Sequence, residues 1–105
     1  MSEAVYEKTV NAMRFIRVLR ANQVQEFMQF LGEWNHEPVW EVLSMMIDTV
    51  EFDTFMPEWQ ERNGIIKVTL DAGDFLADHQ VRIIFQNEAS YAMFTLSHGM
   101  LSLDY

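Results

Sequence analysis

The chain has 105 residues, half of them apolar, with four glycines, two prolines, no cysteine and a formal charge of −9 at pH 7. That length and composition describe one folded domain over 1–105 and exclude a disordered tail, a disulfide scaffold and thiolate chemistry. The acidity argues against direct binding to nucleic acid or to an anionic membrane, which both need a positive footprint, and no apolar run reaches the roughly 18 residues of a membrane span.

The start, MSEAVYEKTV, lacks the basic first residues and apolar centre of a secretory signal, so a cytoplasmic protein is expected. Ser2 can cap a first helix over Glu3 to Arg20, with acids in its first turns and Arg14, Arg17 and Arg20 toward its end, matching the helix dipole. Val5, Ala12, Met13, Ile16 and Leu19 recur at helical spacing and supply its buried face. A second helix starts at Asn22, where Asn22-x-x-Gln25 resembles a capping box, and it ends near Gly32. Pro38 suits the first turn of a third helix. Its apolar side holds Val39, Trp40, Leu43, Met46, Ile47 and Val50, and its polar side holds Glu37, Glu41, Ser44, Asp48 and Glu51.

Beyond about Phe52 the period changes. Asn63-Gly64 is a hairpin signal between EWQER and IIKVT, while DAGD (Asp71 to Asp74) and NEAS (Asn87 to Ser90) read as further turns. QVRIIFQ, YAMFTLS and MLSLDY have strand composition, and His98-Gly99 reads as a turn between the last two. The expected fold is therefore α+β, with residues 1–52 mainly helical and 53–105 mainly sheet. Two to three N-terminal helices pack on a C-terminal antiparallel β-meander of about four strands.

The charge is unevenly placed. Residues 1–20 hold Lys8, Arg14, Arg17 and Arg20 against Glu3 and Glu7, whereas residues 21–105 hold only Arg62, Lys67 and Arg82 against fourteen acids. From Glu33 to Glu61 there are eight carboxylates and three tryptophans without one Lys or Arg. Like charges three or four residues apart cost an isolated helix about 0.2–0.5 kcal/mol each. An ordinary solvated face intersperses bases here. Trp40 is expected in the core, and Trp34 and Trp59, each beside a glutamate, are expected half-exposed at its edge. The candidate partner-binding set is Glu33, Trp34, Glu37, Glu41, Asp48, Glu51, Asp53, Glu58 and Trp59, with Tyr105 a further candidate anchor.

Chemistry is hard to place in this chain. Glu33-x-x-His36 has di-iron spacing but occurs once, where such sites need two pairs and further carboxylates. Asp71, Asp74, Asp78 and His79 lack the alternating oxygens and final Glu of a calcium loop. There is no nucleophile elbow, phosphate-cradling loop or dinucleotide fingerprint, so neither an enzyme nor a cofactor is expected. The composition favours a small inhibitor, a monomer or weak dimer, that neutralises a basic protein partner such as a nuclease-like toxin or enzyme. In size and charge the chain is similar to immunity proteins of bacterial toxins. That resemblance implies an immunity protein or antitoxin, and a phage-type inhibitor that mimics nucleic acid is a variant of the same reading. The alternative is an accessory subunit that assembles through its C-terminal strands, Met100 to Tyr105 above all.

Overall fold

A strand, not a helix, opens the described chain. The computed structural model describes residues 4–98 and, at Asp53, the main chain alone. Strand β1 (Tyr6–Asn11) is followed by helices α1 (Ala12–Ala21), α2 (Gln25–Leu31), α3 (Val39–Thr49) and α4 (Pro57–Arg62). Strands β2 (Ile65–Asp71) and β3 (Gln80–Phe85) and helix α5 (Glu88–His98) complete it. Short 3-10 turns occupy Gly32–His36, Phe52–Thr54 and Leu76–Asp78. The fold is α+β, but the expected four-strand meander behind N-terminal helices is replaced by a three-stranded antiparallel sheet of order β1-β3-β2, its first strand leading the described chain and its strands interrupted and followed by helices.

β1 forms because Tyr6, Thr9 and Val10 favour extended chain and the residues alternate between inward and exposed positions. Tyr6, Lys8 and Val10 sit opposite Phe85, Ile83 and Val81 of β3, while Glu7 and Thr9 are exposed. The true helix start is Asn11, whose side-chain oxygen accepts from the Met13 and Arg14 amides at 3.0 and 3.2 Å. The strand thus takes six residues of the expected first helix, and Val5 is exposed rather than buried. Ser2 and Glu3 lie outside the described residues.

Asn22 also serves a different purpose from the one expected. It ends α1, its amide nitrogens reaching the Val18 carbonyl, and α2 begins after Val24 without a side-chain cap. Asn63-Gly64 closes α4 instead of turning a hairpin. Gly64 adopts φ +66°, the left-handed residue that ends many helices, and Ser90 of α5 packs so closely that a Cβ there would lie 2.5 Å from its Oγ. The expected strand YAMFTLS is part of α5: Asn87 accepts from the Ser90 amide at 2.8 Å, and Tyr91, Phe94 and His98 turn inward at helical spacing. The expected strand MLSLDY, with Gly99 and Tyr105, lies outside the described residues.

Between the sheet and the helices sits an aromatic core. Val68, Val81, Ile83 and Phe85 from the sheet meet Phe15, Ile16 and Leu19 of α1, Phe27 and Leu31 of α2, and Leu43 and Met46 of α3. Trp59 fills its centre, edge-on to Phe15 and Phe94 at centroid distances of 6.1 and 5.8 Å.

Candidate protein-binding face

Helix α3 carries the candidate surface, and its rotation decides which side chains reach solvent. Val42, Leu43 and Met46 are buried, so Val42 takes the inward position that the sequence reading gave to Trp40. Trp40 is 53 % exposed. With Glu41, Ser44 and Met45 it lines a shallow concavity of about 230 Å³ on the outer face.

Two of the three tryptophans therefore exchange their expected places. Trp59, expected as a half-exposed anchor, is only 2 % exposed and belongs to the core. Its neighbour Glu58 is exposed, because adjacent helical residues point about 100° apart and a charged neighbour says little about burial. Trp34 is half-buried, its ring meeting Phe30 edge-on at 5.7 Å.

The N-terminal approach to α3 is held by α1. Nη2 of Arg20 donates to the carbonyl oxygens of Trp34, Asn35 and Glu37, at 3.2, 2.6 and 2.9 Å. Glu37 and Glu41, one turn apart, bring their carboxyl groups into hydrogen-bonding contact. That contact raises the Glu41 pKa above the ordinary carboxylate value, helped by desolvation and by repulsion from Glu37. Glu33, Asp48 and Glu51 are exposed, and no side-chain position is described for Asp53. Arg62 pairs with Glu26, and Arg82 with Glu7 and Asp71, so these bases are engaged away from the α3 face.

Five of the nine predicted residues fall into two groups. Glu41 and Asp48 share the outer face of α3 with Trp40, Ser44 and Met45, and Glu37, just before the helix, meets Glu41 there. Glu51 and Glu58 stand instead at a separate cleft past its C-terminal end. Sequence reasoning missed Trp40 as a surface residue; the signal was Val42-Leu43, which offers an alternative apolar edge. It also missed Met56, whose left-handed backbone (φ 48°, ψ 61°) turns the chain into α4 at a cost of roughly 1–3 kcal/mol.

Among the described residues, no group of three His, Asp or Glu side chains is placed to hold a metal ion, and no helix is long and apolar enough to cross a membrane. What the face can do is pair cations and stack against them. No protein-family model, curated protein or solved structure matches the chain.

Proposed function

We propose that this is an acidic inhibitor that neutralises a basic protein partner in the cytoplasm, in the manner of an immunity protein or antitoxin acting on a nuclease-like toxin or enzyme. Its contact surface is the outer face of α3, with Trp40 as the aromatic anchor and Glu37, Glu41 and Asp48 as the steering charges. The observation that carries this reading is an indole left 53 % exposed among carboxylates. An exposed Trp forgoes burial worth about 25 cal/mol per Å² of apolar area, and the Glu41 carboxyl beside it resists ionisation. A Lys- or Arg-rich partner relieves both at once, through cation–π contact and charge pairing. Enzymes that act on nucleic acid present such basic clefts.

The test is capture from native-host lysate at low salt, with elution by a salt gradient and assay of the recovered protein for inhibition. The expected result is one basic enzyme whose capture is lost with Glu41→Lys/Asp48→Lys and with Trp40→Ala. Capture that survives both variants and high salt would sink the reading.

A further inference from the structure

The acidic stripe of α3 runs into a cleft. Beyond Asp48 the helix ends at Thr49 in the wall of an open cleft of about 420 Å³, bordered also by α2, by the chain following the 52–54 turn, and by the start of α4. The size falls within the range of about 300–1,000 Å³ typical of pockets that enclose a small ligand or a long side chain. Its lining is apolar at Phe30, Val50, Phe55 and Met56. Phe30 is 37 % exposed and meets the buried Phe55 edge-on at 6.3 Å, so part of an aromatic ring is open to an occupant.

Glu26, Glu51 and Glu58 complete the lining. Arg62 binds Glu26 at 2.6 Å and offsets one of these three charges. The end of α3 adds to the remainder. Its last turn holds no basic side chain, and the free carbonyls at a helix C-terminus carry partial negative charge. The cleft therefore combines an apolar lining with a negative rim built from two sources, side chains and backbone. An anion is repelled there. A bare metal ion makes no use of the lining, and a neutral apolar group leaves the carboxylates stripped of water without a partner. A cation on an aliphatic stem satisfies both parts, because Arg and Lys bury their methylenes while presenting the charged head to acids.

We infer that this cleft receives an arginine or lysine side chain carried on a basic segment of the protein partner, the stem against Phe30 and Val50 and the head at the Glu51 and Glu58 carboxylates. The inference rests on the basic-partner reading and adds the point of entry: a side chain inserted here anchors a segment that continues along α3 toward Trp40. Glu51 links the two surfaces, since it follows the stripe in sequence and lines the cleft.

The probe is the peptide acetyl-Gly-Arg-Phe-Arg-Gly-amide, titrated into the full ¹⁵N-labelled chain at low salt and followed by amide shifts. Saturable shifts are expected at Val50, Glu51, Thr54, Phe55 and Glu58, with the apparent Kd rising about tenfold in Glu51→Gln/Glu58→Gln. The amide spectrum of that variant reports whether it keeps the fold, and the same peptide with Gln in place of both Arg residues should give no saturable shift. Equal binding of the Gln peptide, or an unchanged Kd in the folded double variant, overturns the inference. Shifts confined to Glu37–Asp48 overturn the cleft while leaving the basic-partner reading standing. That reading fails separately, through the reversal of Glu41 and Asp48.

Discussion

Arg20 grips Glu37 by its main chain: Nη2 lies 2.9 Å from the Glu37 carbonyl oxygen, and the same nitrogen reaches the Trp34 and Asn35 carbonyls. These carbonyls close the Gly32–His36 turn and lead into α3, so a base at the end of α1 sets where the acidic face begins. Hydrogen bonds from a charged donor are worth about 1.5–3 kcal/mol, and carbonyls left without their donor add to the loss. Arg20→Ala should therefore lower stability by about 2–3 kcal/mol in urea unfolding. Arg20→Lys should recover only part, because the shorter, flexible lysine stem does not place its ammonium where Nη2 meets the three carbonyls. A loss below about 0.5 kcal/mol for Arg20→Ala would mean that the turn is held by packing alone.

The two misplaced tryptophans separate stability from binding. Trp59→Ala removes a side chain that touches Phe15, Phe94 and His98, and should cost about 3–5 kcal/mol. Trp40→Ala should change stability by no more than about 0.5 kcal/mol, yet cost about 2 kcal/mol of partner affinity, roughly thirtyfold. Chemical unfolding and calorimetric titration of both variants give the two axes. If Trp40→Ala unfolded the protein as readily as Trp59→Ala, the surface role assigned to Trp40 would fall.

Legibility in the sequence followed the strength of local signals. The third helix was readable because Pro38 and eleven residues of period 3.6 agree; its rotation was not, since Trp40 and Val42 both offer an apolar edge next to Leu43. β2 and β3 were readable from β-branched content in IIKVT and QVRIIF. The first strand was hidden by charges that suit a helix dipole, and only the alternation through Tyr6, Lys8 and Val10 and the cap at Asn11 spoke against it. In α5 the aromatic and β-branched composition argued for strand, while the inward spacing of Tyr91, Phe94 and His98 argued for helix and prevailed. The acidity of the stripe was legible as charge, but the helix ends at Thr49, so Glu51 leaves the expected face for the cleft. The cleft was not legible, because it joins α2, the end of α3 and α4, which only tertiary packing brings together.

Glu41 gives a pH-dependent prediction with a definite sign. Its hydrogen-bonded contact with Glu37 raises its folded pKa, so the folded chain binds that proton more tightly than the unfolded chain. The associated penalty is absent at pH below the unfolded value near 4.3, grows across the window between the two pKa values, and is complete above the folded one. Glu41→Gln should accordingly raise Tm at pH 7, with the gain shrinking to nothing by about pH 4. Partner binding should weaken on acidification through the same window in wild type and show a smaller change in the variant. A Tm gain that persists unchanged at acid pH would place the effect in helix propensity rather than in the carboxyl pair.

His98 should act in the opposite direction. Its ring is 7 % exposed, stacks on Phe94 at 3.8 Å and stands edge-on to Trp59 at 6.4 Å, while Nδ1–H donates to the Phe94 carbonyl at 2.9 Å. Burial lowers its pKa, and the Phe94 hydrogen bond opposes that shift only in part. The unfolded chain therefore takes up a proton near pH 6.5 while the folded chain still resists it. Stability is independent of this group well above pH 6.5. It falls as the pH drops below that value, and the loss stops once the folded pKa is passed. At pH 5 the loss is bounded at about 2 kcal/mol, set by the proton uptake of the unfolded chain alone. His98→Phe keeps both ring contacts and removes the titration, so its Tm should fall less than that of wild type between pH 7 and pH 5. Combined with Glu41→Gln, the two substitutions should alter the profile additively, since one group lies in the core beneath α5 and the other on the outer face of α3. Parallel Tm profiles for wild type and His98→Phe would show that acid sensitivity has another source and that the imidazole is protonated in the fold without loss.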